Sequence, residues 1–351
     1  MTVPTAIRHL LSECKVHGNG EAQVMISDSE LYVLMYLSCS DLGWNHADLG
    51  LRKIEIPSLD YYSIPIEWFT KVSIKAASPD ALLNALATAC EVHADYTLFI
   101  KNLSALHRRR VKYGRILASQ PVANIDQIAP RSLLEYGACR TSLLCNWMLW
   151  RKWIYDIDNR SAQETGYFFE PVLASCLGGE SIGARNSPVK RLDDRGRSTN
   201  QGRQIDCFVA GVRRVYELKM RVSIAASGQG RFGEELSFPK ECQAAGFAPF
   251  LLVLDPTLSN RLEELEAAFR AAGGSCFKGQ EAWEHMEDTA GEVVSKFIEK
   301  YIKPPLKAFE DGYCPTPSNM TLTWSAEQVE VAAGDDRYVI ARSEESEGPE
   351  S

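Results

Sequence analysis

Residues 203–220 read RQIDCFVAGVRRVYELKM. Arg203 to Ala210 gathers Ile, Cys, Phe and Val in a β-type pattern, and Val212 to Met220 does the same with Val, Tyr and Leu. Gly211 stands between them as a tight turn, so the stretch is expected to form a hairpin. Side chains two apart on a strand share a face, which sends Glu217 and Lys219 the same way. The turn folds Asp206, with ten residues intervening, back toward Glu217. Two carboxylates at one sheet face repel unless a cation neutralises them, and a hard divalent ion with oxygen ligands does so.

Downstream, residues 221–233 form a small, polar loop and a helix is expected over about 234–245, ending before Gly246. Ala248 to Leu254 (APFLLVL) is a nearly unbroken apolar run, as in a strand buried on both faces, and Asp255-Pro256 stops it. A helix over 259–272 ends at Gly273-Gly274, and a longer one spans about 280–302 before Pro304-Pro305. One more hairpin is expected after about 325, then a disordered tail.

Upstream lies a basic, Gly-containing loop over 183–202, preceded by a helix over 161–177 that carries Glu164 and Glu170 and breaks at Gly178-Gly179. Another helix covers 131–153, where Trp147, Trp150 and Trp153 are expected to pack into the core. Residues 79–93 have a Pro start and helical apolar spacing. Gln23 to Leu37 suits a strand or a helix equally, and Leu51 to Pro65 reads as an extended edge. The expected fold class is α/β, with a mixed central sheet flanked by helices over 156–325. A large mixed α/β N-terminal elaboration or domain occupies 1–155, and a hairpin and tail occupy 326–351.

The hydrophobic fraction of 45% among 351 residues is that of a globular protein with a core, and no segment approaches the length of a membrane span. The ten cysteines include no CxxC pair, which fits reduced thiols inside a cell better than disulfides or zinc. The histidines at 9, 17, 46, 93, 107 and 285 are scattered away from the acids, so a zinc hydrolase is disfavoured. The net charge of -8 conceals local asymmetry: residues 185–221 hold ten Lys or Arg against four acids, two of which are Asp206 and Glu217. A second basic run includes Arg108, Arg109 and Arg110. Such segregation suits a polyanion partner, though ordinary solvated faces produce it too.

In the order helix, hairpin and following helix, Glu170, Asp206, Glu217 and Lys219 resemble the PD-(D/E)xK nuclease pattern, with Ile205 where proline often precedes the aspartate. The resemblance covers about residues 161–260 and implies a restriction-endonuclease-like core that hydrolyses phosphodiester bonds with Mg2+ and leaves 5'-phosphates. Metal ligands would be Asp206, Glu217, the Leu218 carbonyl and Glu170, with Glu164 as the alternative helix acid; Lys219 would orient or deprotonate the attacking water, or stabilise charge on the phosphate. Within that superfamily the chain is similar to type II restriction endonucleases. The run from Ala244 through Pro256 and the helix from Trp283 to Pro305 resemble the ApaLI-like group.

This implies double-stranded DNA as substrate, a six-base-pair palindrome such as GTGCAC, and a homodimer with one active site per strand. DNA would meet Arg185, Lys190, Arg191, Arg195, Arg197, Arg203, Arg221, Ser227, Gln229 and Arg231, with Arg108 to Arg110 as a second grip. Glu234 and Lys240 stand downstream as further candidates for contact with water or DNA. There is no Walker A loop, so no nucleotide cofactor is expected, and the expected location is cytoplasmic. The competing readings are a repair or structure-specific nuclease of the same fold, an enzyme acting on structured RNA, and a DNA-binding protein without chemistry.

Overall fold

The computed structural model describes residues 4–16, 24–193, 195–220, 229–255, 257, 259–312 and 319–343. Helices come first: α1 (Thr5–Lys15), α2 (Asp28–Asp41), α3 (Ile66–Lys71), α4 (Pro79–Val92), α5 (Tyr96–Ser119), α6 (Ile125–Ile128) and α7 (Thr141–Cys176). Strands β1 (Glu180–Ile182), β2 (Lys190–Leu192), β3 (Ser198–Gly202), β4 (Ile205–Val209) and β5 (Arg214–Lys219) follow. Then α8 (Gln229–Ala244), β6 (Ala248–Val253), α9 (Asn260–Ala271) and β7 (Ser275–Lys278) alternate. The chain continues through α10 (Gln280–Thr289), α11 (Glu292–Phe297) and α12 (Lys303–Asp311) to β8 (Thr321–Trp324), β9 (Gln328–Ala333) and β10 (Asp336–Ala341).

The central sheet has the order β1-β4-β5-β6-β7. Its first two pairings are antiparallel and its last two parallel, so the mixed sheet expected from the hairpin and the buried strand is present. Leu251, Leu252 and Val253 of β6 are fully buried, with Leu252 in one core cluster and its two neighbours in the other. One face is covered by α7, α10, α11 and the N-terminal helices, the other by α8 and α9 through Phe238, Cys242, Leu262 and Phe269.

Several elements differ from their sequence expectations. The helices expected at 131–153 and 161–177 join in one helix that starts only at Thr141, after a 3-10 turn over Ala129–Leu134, and residues 154–160 contain neither Gly nor Pro to separate them. It runs from the N-terminal region straight to the sheet, where Gly178 takes a left-handed φ of 70°. The next residue must be glycine too: a Cβ at Gly179 would lie 2.5 Å from Cys207 Sγ and 2.8 Å from the Phe208 carbonyl oxygen. Strand β7 and the β2–β3 ribbon went unread because three to five residues with polar ends carry little periodicity. The long C-terminal helix is divided among α10, α11, a π-helical turn and α12.

The expected C-terminal hairpin is a three-stranded sheet. Trp324 at its edge packs against Trp150 and Trp153 of α7. Trp147 is instead more than half exposed.

Before α7 the described chain is helical rather than mixed, with strand pairing reduced to one bridge between Val16 and Met25. The ambiguous segment after Gln23 becomes a helix because Ser27 and Glu30 form a reciprocal cap at its start. The nine cysteines among the described residues are all unpaired. No helix there is long and apolar enough to cross a membrane.

Candidate active site

The hairpin is β4–β5, with Cys207 opposite Tyr216 and Phe208 opposite Val215. Continuing that register sets Asp206 opposite Glu217. The reversal is made by a 3-10 turn over Ala210–Val212 with Arg213 at φ 54°, so the left-handed position falls on Arg213 and not on Gly211. Along its other edge β4 carries a bulge: Glu180 pairs with Phe208 while Ile182 pairs with Ile205. The extra residue breaks the alternation of β4 beside Asp206, and bulges of this kind re-aim side chains next to functional sites. Ile205 packs with the α8–α9 cluster, whereas Cys207 belongs to the α7 side.

Asp206 is close-packed, and its Oδ2 accepts a 3.0 Å hydrogen bond from the Leu218 amide. Burial pushes its carboxyl well above the usual range; Glu217 and Glu170 push the same way, and the Leu218 amide and Lys219 only partly oppose them. Glu170, on the last turns of α7, is raised by burial and by Glu217, with Lys219 opposing. Burial disfavours the Lys219 ammonium, yet two carboxylates outweigh it and raise the group above its ordinary value. Its Nζ lies 2.8 Å from Glu217 Oε1 and 3.1 Å from Glu235 Oε1.

Glu235 is not among the residues expected from sequence, whereas its neighbour Glu234 is, as a contact for water or DNA. The helical phase of α8 separates the two. Glu235 turns inward to Lys219, and its Oε2 is buried without a hydrogen-bond partner among the described atoms. Glu234 is half-exposed and meets Arg191 at 2.9 Å. A signal existed in the sequence: Glu235 stands three and seven residues before Phe238 and Cys242, so it shares the buried stripe of α8.

The expected DNA contacts divide by burial. Arg185, Arg195 and Arg197 are exposed, and Lys190 and Arg191 are half-buried around the β2–β3 ribbon. Arg203 is buried, ion-paired with Glu241 and bonded to the Glu234 carbonyl at 2.7 Å. Arg108 is also buried and donates to the carbonyls of Glu13 and Cys14. Both leave the set of contacts, because a buried guanidinium holding internal partners is not presented to a phosphate, whereas the ion pairs of Arg191 and Arg197 lie at the surface.

Arg110 lies over the rings of Tyr61 and Tyr62 at 4.8 and 5.0 Å, and half-buried Arg109 lines a pocket together with Arg110 and Tyr62. Arg221 and Ser227 lie outside the described residues. Gln229 and Arg231 fall in the first turn of α8, and their side chains, like that of Glu164 in α7, are outside the described set.

Among the described residues no three His, Cys, Asp or Glu side chains converge closely enough to hold a metal ion by themselves. The donors nevertheless suit magnesium. That ion keeps several waters and is held by one or two carboxylates together with substrate phosphate, not by a cage of side chains. Hard oxygen donors, an aspartate raised by burial and by neighbouring acids, and an orphaned carboxylate oxygen on Glu235 are what a cation would relieve.

A mixed sheet whose hairpin brings an aspartate to a Glu-x-Lys beside a helix glutamate defines a nuclease of the PD-(D/E)xK class. The ApaLI-like restriction endonuclease profile matches residues 60–303. The type II restriction enzyme ApaLI of Acetobacter pasteurianus is 46% identical over 294 residues, covering 81% of this chain and 76% of that protein. The chain belongs to the ApaLI-like restriction endonuclease family. No solved structure gives a significant match.

Proposed function

We propose that this type II restriction endonuclease makes Mg2+-dependent double-strand cuts in DNA at a short palindrome, leaving 5'-phosphates. The observation that carries the proposal is the position of the Lys219 ammonium, in contact with Glu217 on the face toward which Asp206 and Glu170 also direct their charge. Asp206 and Glu217 would hold the ion. The Leu218 carbonyl joins them, because N–H and C=O of one strand residue point the same way and the Leu218 N–H already meets Asp206.

When bound, magnesium supplies positive charge to the scissile phosphate and acidifies the attacking water. Lys219, held between Glu217 and Glu235, is placed to hydrogen-bond the attacking water and the phosphate and so to orient them. Glu235 fixes the angle of that donor, and Glu170 adds a carboxylate at the edge of the site.

The DNA grip is assigned to Arg185, Lys190, Arg191, Arg195 and Arg197, with Arg109 and Arg110 as a second contact. The homodimer and the palindrome GTGCAC complete the reading, since a two-fold protein matches a two-fold site. The test is digestion of a sequenced viral genome with magnesium or with chelator, followed by end-sequencing. Discrete magnesium-dependent fragments with 5'-phosphates at one palindrome are expected, and Lys219→Ala should abolish them while DNA binding persists. Intact DNA, or equal cutting by Lys219→Ala, overturns the assignment.

A further inference from the structure

We infer that two copies of this chain pair through the outward face of the first half of α7 and the turn before it. Leu143, Trp147 and Ile154 stand at i, i+4 and i+11, so they form one stripe on the helix. All three face solvent, Leu143 at 60% and Trp147 at 53% exposure. Tyr155 flanks the stripe, and Leu134, at 96% exposure, stands with Tyr136 in the segment before α7. That segment is tied to the stripe by the Arg151–Glu135 ion pair, and the Arg151 guanidinium lies over the Trp147 ring at 5.4 Å.

A surface of this size marks an interface, since monomers rarely expose contiguous apolar patches beyond a few hundred Å2. An aromatic side chain buries roughly 150–250 Å2. The exposed remainders of Trp147, Tyr155 and Tyr136 with three aliphatic residues come to several hundred Å2, the larger part of the ~800 Å2 per partner of a standard interface.

Charge and composition indicate the occupant. A nucleic acid is gripped by clustered cations without acids among them, whereas here the central Arg151 is paired with Glu135 and exposed Arg140 is balanced by exposed Asp158. The segments of this chain outside the described residues, 17–23, 221–228, 313–318 and 344–351, are polar or small-residue-rich, with few side chains able to cover such a face. A second copy fits. An antiparallel pair about a two-fold axis near residue 149 sets Leu143 against Tyr155, Trp147 against Arg151, and exposed Arg140 against exposed Asp158, twice over. This places the homodimer of the nuclease reading on a definite surface and rests on that reading only for why the enzyme needs a second copy.

Sedimentation of the full chain without DNA or metal tests it, so the outcome is independent of whether the protein cuts. Wild type should sediment as a dimer at micromolar concentration. Trp147→Glu with Ile154→Glu should sediment as a monomer with unchanged circular dichroism and melting. Arg140→Asp should weaken the dimer severalfold, and adding Asp158→Arg should restore it, a readout that survives if the apolar double variant fails to fold. A wild-type monomer at ~100 μM overturns the inference, as does a dimer that none of these substitutions weakens.

Discussion

Two antiparallel hairpins lie next to each other in the chain and use their charges in opposite ways. In the β2–β3 ribbon every acid described has its partner. Asp193 accepts from the amides of Arg195 and Arg197 and from the Arg197 guanidinium, which together hold it below the usual carboxylate range. Arg191 meets Glu234, and Arg203, just past the ribbon, meets Glu241. In β4–β5 the balance is reversed: Asp206, Glu217, Glu170 and Glu235 gather around the single ammonium of Lys219. The first hairpin is stabilised by its charges. The second holds its charges against their preference, as expected of a site prepared for a cation and a phosphate.

Asp206→Asn should show the largest effect and separate the two behaviours. Cleavage should fall roughly a thousandfold or more, because a cation ligand is lost from the step that needs it. In chelator, however, the melting temperature at neutral pH should rise by about 2–4 °C. The sign follows from linkage. The folded value of Asp206 lies above its unfolded value, so ionisation costs stability; the cost is absent below the unfolded value and grows as pH rises through the folded one. Wild type in chelator should therefore gain from this group as pH falls from neutral toward the ordinary carboxylate range, and the variant should lose that gain. A variant that is both inactive and less stable across this range would break the contrast between the hairpins.

Arg203→Met should do the reverse. It strands Glu241 in the interior without its counter-ion and should cost about 3–5 kcal/mol in urea unfolding, while DNA affinity per folded molecule stays near wild type. An unchanged urea midpoint would show that the buried pair is not what holds the ribbon to α8. Arg191→Ala should have the smallest effect on stability, at most about 1 kcal/mol, since its pair with Glu234 is largely solvated. Its consequence should appear in DNA binding, as a shallower dependence of affinity on salt, and an identical slope would remove Arg191 from the interface.

Part of this molecule could be read from residues alone. The hairpin, the β6 strand and the approach of Asp206 to Glu217 and Lys219 are consequences of period-two alternation and a short turn, which act over a few residues and leave one register open. The helix expected at 79–93, found at 79–92, was legible from similarly local signals, a Pro start and apolar spacing. Tertiary structure decided the rest. Glu235 shares the apolar stripe of Phe238 and Cys242 and Glu234 does not, but only the seating of α8 on the sheet brought that stripe, and Glu235 with it, to Lys219. Arg203 and Arg108 looked like grips for DNA until packing enclosed them, because basic residues declare their charge in sequence but not what will stand opposite them. The tryptophans of α7 likewise shared one expectation, and the fold buried Trp153 while leaving Trp147 outside. Local periodicity sets which way neighbouring side chains point; which of those directions is inside depends on surfaces contributed from a hundred residues away.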